Sequence, residues 1–469
     1  MKWLKRLLFV VVCLVTLYGL FLAVENWRGK HAWDSYQRER EAKGDSFEWK
    51  SVTPAPVPDA ENFAMTPLFA ELFPKLPPQG PKLNALRLPD CKDSAGDWRL
   101  MRAENLAAWK KSFTNEDLLA ALKIYEPMMS EISDALRQRP KCRFPVRYED
   151  HFNALLPHLS YLRNPARVYR LRALAAMEAG RNDVALEDVR LSLRLADTIK
   201  DEPLLISFLV RVAMLETIAQ PVWEGLASRR WNDRQLAALQ AEFVANDRVA
   251  AFTRAMRGER LFGYTVCRWL INKPSERWRA FTYMTSDGTT PKCPLLIYAL
   301  PTGWWHQNML AMDRFHAEVY QPMIDVKHHR IDPAKSRSAE DKLSKISRSP
   351  GTILLKMFLP TLTACAKTAA YSQTTADELV VACALERYRL AKGALPEKLD
   401  ALAPEFLAKV PTDVIDGEPL RYRRDGERFK LWSVGWNVKD DGGVVGVHTG
   451  AKPTWDKDKG DWVWESGGK

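Results

Sequence analysis

The stretch RVYRLRALAAMEAGRNDVALEDVRLSLRLA, residues 167–196, decides the fold class. Leu171, Leu174 and Ala175 recur at i, i+3 and i+4, the spacing that gathers side chains on one face of a helix. Gly180 breaks that helix, and Asp183 is placed to cap the next, where Leu186, Val189, Leu193 and Ala196 continue at i, i+3, i+7 and i+10. Downstream, Asp201, Glu202 and an N1 proline, Pro203, open a further helix expected to reach about Gln220, with Leu205, Phe208, Leu209, Val212 and Leu215 on its apolar face. Residues 97–270 therefore read as an all-helical domain, and the chain as mostly α.

The turn within Ala176–Ala196 resembles one tetratricopeptide hairpin, but no second copy follows ~34 residues later, around Met214, so it reads as two packed helices. At 469 residues the chain is long enough for about three domains. Its hydrophobic fraction of 46% and charged fraction of 27% exclude a disordered, collagenous or multi-span membrane class for the whole chain. Lys+Arg 69 against Asp+Glu 58 leaves +11, which raises anionic partners without choosing among nucleic acid, lipid headgroup and wall polymer.

The N-terminus narrows that choice. Residues 1–6 form a tip carrying Lys2, Lys5 and Arg6, and residues 7–24, Leu7 to Val24, hold no charge. At about 1.5 Å per residue this run nearly crosses a hydrocarbon core. A cut after Ala23 would put Phe21 at the −3 position, so no signal-peptidase site follows, and the run reads as an uncleaved transmembrane anchor. Basic residues precede it and mixed charge follows it, which places the N-terminus in the cytoplasm and the body in the periplasm of a bacterial inner membrane, crossed once. No nucleic-acid partner is expected there. Six cysteines lie beyond the span in a disulfide-permissive space, with Cys91–Cys142 and Cys267–Cys293 as candidate pairs. Cys365 and Cys383 cannot pair on one continuous helix, where they would stand about 27 Å apart.

Residues 25–96 read as a stalk, Pro-rich from 50, lying against the body through Phe63, Leu68, Phe69, Leu72 and Phe73. Residues 271–350 read as an aromatic and basic irregular region with one helix, Trp304 to Val326, followed by a solvated mobile loop of net charge +4 at Lys327–Arg348. No nucleophile elbow, phosphate loop, HExxH, GxGxxG or EF-hand spacing occurs, and His306 and His316 lie ten residues apart on one helix, too far to share a metal. Residues 351–449 give a long helix and a small module, and residues 450–469 a Trp-containing tail.

That module carries the one specific signal. Tyr422–Arg424 and Phe429–Val434 flank Asp425-Gly426, a hairpin pattern, and Val381, Leu385 and Tyr388 give the preceding helix a face to cover it. Beyond the Tyr388, Gly393 and Pro396 that end this helix come a short helix (Glu397 to Leu402), then Pro411 and Asp413, then Gly417, Pro419, Leu420 and Tyr422. Phe429, Leu431, Ser433 and Gly435 lead into Asn437, Asp440, Asp441, Gly442 and Gly443. In order and spacing, Ala384–Gly443 resembles the globular domain of type II secretion major pseudopilins. The resemblance implies an α+β module with a calcium loop, to which Asn437, Asp440 and Asp441 would contribute. Hard oxygen ligands grouped this closely suit calcium, while adjacent acids beside two glycines also suit a metal-free polar turn.

The sequence thus predicts a membrane-anchored envelope protein with a binding or structural role and a protein partner. Two alternatives stay open: a hydrolase of wall or polysaccharide material using scattered carboxylates, and an accessory component of a type II secretion-like system.

Overall fold

The computed structural model describes residues 2–70, 119–120, 122–277, 298–448 and 454–466. The longer helices among them are α1 (Lys2–Ala42), α2 (Glu126–Gln138), α3 (Pro157–Glu178), α4 (Asn182–Asp197), α5 (Leu205–Ala227), α6 (Asp233–Val244) and α7 (Arg248–Asn272). After these come α8 (Thr302–Phe315), α9 (Pro333–Lys345), a short α10 (Ile353–Phe358) and α11 (Pro360–Lys392). The strands are β1 (Ile324–Asp325), β2 (Arg330–Ile331), β3 (Arg421–Asp425), β4 (Arg428–Ser433), β5 (Val445–His448), β6 (Thr454–Gly460) and β7 (Trp462–Glu465). The fold is mostly α, as expected.

Helix α1 changes character along its length. Its apolar run is exposed on nearly every side, whereas Gly29, Trp33 and Tyr36 further along are buried. The buried part runs beside α8, and the two backbones touch at a glycine pair: a Cβ on Gly29 would lie 2.1 Å from the Gly303 carbonyl oxygen. Three stretches, α1, α5 and residues 353–392, are long and apolar enough to cross a membrane. They differ in surroundings, since the apolar window is 0% buried in α1, 67% in α5 and 50% in 353–392.

Helix α11 is the spine of the body. Its first half (Leu362, Ala366, Ala370) packs with α7, α8, α9 and the end of α1. The second half (Leu379, Val381, Leu385) packs with α2 to α6 and with Leu431 and Trp464 of the sheet. The expected domain bounds at 270 and 351 therefore do not separate cores. Cys365 and Cys383 both lie on this one helix, which rules out a bond between them. Cys142 and Cys267 are free thiols, and their candidate partners Cys91 and Cys293 lie outside the described residues.

Several local expectations are corrected. Asp183 does not cap α4, which has no side-chain cap; the carboxylate sits inside the first turn and accepts from Gln235 Nε2 at 2.8 Å. Pro203 is not at N1, because α5 begins at Leu205 after Glu202 has turned inward, and α5 runs past Gln220 to Ala227. The basic stretch Lys327–Arg348 is ordered as β2 and α9. Asp332 caps α9 by accepting from Ala334 and Lys335 N–H, and Ser336, Ala339 and Leu343 are buried at i, i+3 and i+7 while the cations face out. Of the stalk, residues 25–42 continue α1, and from 50 the described part is not an extended strap but carries single 3₁₀ turns and one α-helical turn, Pro67–Ala70, with Phe63 and Phe69 buried. Leu72 and Phe73 lie outside the described residues.

Candidate functional site

The C-terminal module is built from α11 outward. Gly393 ends the helix in the left-handed conformation at φ 80°, and the chain returns through Pro396, whose carbonyl accepts the Tyr422 hydroxyl at 2.8 Å. Strands β3 and β4 pair antiparallel from Arg421↔Trp432 to Asp425↔Arg428, so the two-residue turn is Gly426-Glu427, one position later than expected. The tail is not a tail. Strand β7 adds to β4 with Leu431 opposite Trp464, completing the order β3-β4-β7, while β5 and β6 form a second ribbon.

Asp413, the acid of the Pro-x-Asp pattern, locks this arrangement. Its buried carboxylate accepts from Ile415 N–H at 2.9 Å, Ser433 Oγ at 2.8 Å and Val434 N–H at 3.0 Å, and Arg421 reaches it at 3.2 Å. Burial nonetheless holds its pKa above the ordinary carboxylate value. Gly435, at φ 66°, leaves room for the chain to pass: a Cβ there would lie 2.5 Å from the Gly460 carbonyl oxygen. A second buried acid, Asp461, accepts from Asp441 N–H at 3.1 Å and Gly443 N–H at 2.7 Å.

Within the loop these acids close, the expected calcium ligands face different partners. Asp440 accepts from the Trp432 indole at 3.0 Å and Gly442 N–H at 3.0 Å, and its other oxygen faces Arg421 at 3.8 Å. Asp441 accepts from Asn437 Nδ2 at 2.8 Å and Lys439 Nζ at 2.7 Å. Those donors keep both carboxyls below their ordinary pKa, the indole leading for Asp440 and Lys439 for Asp441. A cation shell is not assembled in this arrangement, and no group of three candidate ligands converges among the described residues. A calcium ion bound here would have to displace the Lys439 ammonium from Asp441.

Sequence reasoning missed two buried polar clusters because their members are far apart in the chain. In one, Glu202 takes His158 Nε2 at 2.8 Å and the Ser207 hydroxyl at 2.5 Å, with the imidazole stacked on Phe144. All three polar side chains are buried, and they join α3 to the start of α5. In the other, Asp313 of α8 binds Arg260 of α7 at 2.5 Å and the Tyr36 hydroxyl of α1 at 2.8 Å, while Asp45 bridges Arg260 to Arg40. Burial alone would lower the Arg260 pKa, but Asp313 and Asp45 together outweigh it and raise it. Nearby, burial pushes His316 down to about 4, so the ring is neutral at pH 7. Burial also raises the thiols of Cys142, Cys267 and Cys383, which makes them poor nucleophiles.

An open groove of about 840 Å³ lies between the end of α1, residues 147–150 and the last turns of α7. Aromatic side chains form its floor: Trp49 stacks on Tyr148 at 5.3 Å and donates to Thr265 Oγ1 at 2.9 Å, and Arg268 lies over Tyr264. Glu48, Glu149, Asp150 and Glu276 share the walls with Lys50, Arg147, Arg268 and Lys273, and no histidine lines it. Four acids and four bases lining one groove suit a ligand bearing both charges, such as a peptide segment. No family model, curated protein or solved structure matches this chain.

Proposed function

We propose that the protein is a single-pass anchor-and-body protein of the bacterial inner membrane, with residues 7–24 as the span and the body in the periplasm. Its role is to bind a protein partner at the membrane surface. The observation that carries this reading is the change along α1: an apolar run that the described residues leave exposed leads without a break into turns built into the core. Water penalises such an uncovered apolar helix, and a bilayer removes that penalty. The apolar windows of the other two are 67% and 50% buried in the body, against 0% for α1, which supports one crossing. The groove, with its aromatic floor and balanced charge, supports peptide or protein binding over a small-molecule reaction.

The module's interlocked Asp413, Ser433, Gly435 and Tyr422 support the pseudopilin-like reading in shape, and calcium stays a proposal for its loop. Carbonate washing of membranes together with protease treatment of intact spheroplasts tests the placement. Retention in the pellet and digestion of the body before lysis are expected. A body digested only after lysis overturns the orientation, and release by carbonate overturns the anchor.

A further inference from the structure

The body meets α1 below the end of its apolar run. The Tyr18 hydroxyl donates to the carbonyl of Ala299, and the Phe21 ring meets the edge of Trp304 at 6.2 Å. One turn further on, the Trp304 indole donates to Glu25 at 3.0 Å and Gly303 N–H to Asn26 at 2.9 Å. These contacts fix the depth of residues 298–304 against the helix. Glu25 is seven residues beyond Tyr18, so Ala299 lies about 10 Å toward the membrane from the first charge after the span.

The span has no length to give up. Leu7 to Val24 covers about 27 Å against a hydrocarbon core of ~30 Å, and stopping at Leu17 to keep the body dry would leave about 16 Å. The level of Tyr18 therefore lies within lipid, and whatever touches Tyr18 lies there with it. Segment 298–304 suits that position. Tyr298 and Ala299 are exposed, Leu300 and Trp304 are partly so, and Trp27 stands 68% exposed nearby. Tyrosine and tryptophan favour the headgroup boundary, where one end of the ring is apolar and the other wet. The Tyr18–Ala299 bond pairs two polar groups that hydrocarbon would leave unsatisfied.

We infer that residues Tyr298–Trp304 form an interfacial element, inserted into the outer-leaflet headgroup and upper acyl region of the membrane that α1 spans. This rests on the reading of residues 7–24 as the span. The body is thus seated in the lipid surface and not held clear of it.

Photocrosslinking of the full-length protein tests this, in liposomes of phosphatidylcholine carrying a diazirine near the glycerol end of one acyl chain, with adducts mapped by peptide mass spectrometry. Expected are lipid adducts on residues 18–24 and also on 298–304, the latter about tenfold above those on α5 and α6 peptides, as fits burial some 5–10 Å into the boundary. Adducts on residues 7–24 with only background on 298–304 overturn the inference and leave the anchor standing. Background on both overturns the anchor as well.

Discussion

Helix α5 and the first half of α1 are both apolar enough to cross a bilayer, yet one is enclosed by α3, α4, α7 and α11, while among the described residues the other is met only near its end, where Tyr18 and Phe21 touch Ala299 and Trp304. The difference is that α5 brings partners for its polar groups. Ser207 binds Glu202, and Arg211 binds Asp197 at 2.8 Å, so the helix can be buried among protein elements without orphaned charge. Residues 7–24 contain no such group needing the body, apart from Tyr18. Hydropathy shows that a helix avoids water, and its polar partners show what covers it.

The largest expected effect sets the two helices against each other. Leu215→Arg in α5, where Leu215 is buried, is expected to prevent folding of the body, because it leaves an unpaired charge in a packed core. Leu17→Arg is expected to leave the body's melting curve unchanged and to weaken membrane retention, at about 3 kcal/mol of insertion energy. Circular dichroism and membrane fractionation read the two outcomes, and equal melting losses from both would abolish the distinction.

Next in size is the tie between α1 and the body. Asp313→Ala leaves Arg260 buried without its main partner and is expected to lower stability by about 3–5 kcal/mol. Urea titration measures it, and a loss within error would mean that α1 is docked by apolar packing alone.

The C-terminal loop carries the comparison to charged groups. A calcium site would raise stability by roughly 2.7 kcal/mol at about 100 Kd of free calcium, an increment absent from Asp441→Ala. Equal melting temperatures of the parent protein in calcium and in chelator would leave Asp440 and Asp441 as turn-formers held by Trp432 and Lys439.

The smallest effect is at the β1–β2 turn, where Asp247 binds His329 at 2.9 Å and raises its pKa above the ordinary histidine value. A raised pKa stabilises the fold fully below pH ~6.5, and that contribution is lost as pH climbs through the folded value. Both groups are more than a third exposed, so under about 1 kcal/mol is at stake. Asp377 also faces His329 and, driven up to about 7 by loss of water around it, titrates in the same window. The ring itself should therefore be followed by NMR, and its pKa should fall in Asp247→Asn.

What could be read from the sequence follows the range of each interaction. The apolar run, the 167–196 hairpin and the β3–β4 pair depend on neighbours within a few residues, and each was legible. Helix α9 was hidden because seven basic residues dominate the composition of Lys327–Arg348, while its buried face is only Ser336, Ala339 and Leu343. Strand β7 was hidden because Trp462, Val463 and Trp464 are all buried, which removes the alternation that marks a half-covered strand. The His158–Glu202–Ser207 and Arg260–Asp313–Tyr36 clusters join residues as much as 277 positions apart, and no local pattern encodes such a meeting.

The Gly29–Gly303 crossing gives the unbroken α1 the properties of a screw. Tyr18 and Glu25 grip Ala299 and Trp304 above that crossing, so each residue added between Glu25 and Gly29 would turn the two sets of contacts about 100° and ~1.5 Å out of register, and the body could keep only one of them. Four added residues would bring the two faces back to within about 40° but ~6 Å apart along the axis. The heading and height of the body over the membrane are thus set by the count of residues from Tyr18 to Gly29.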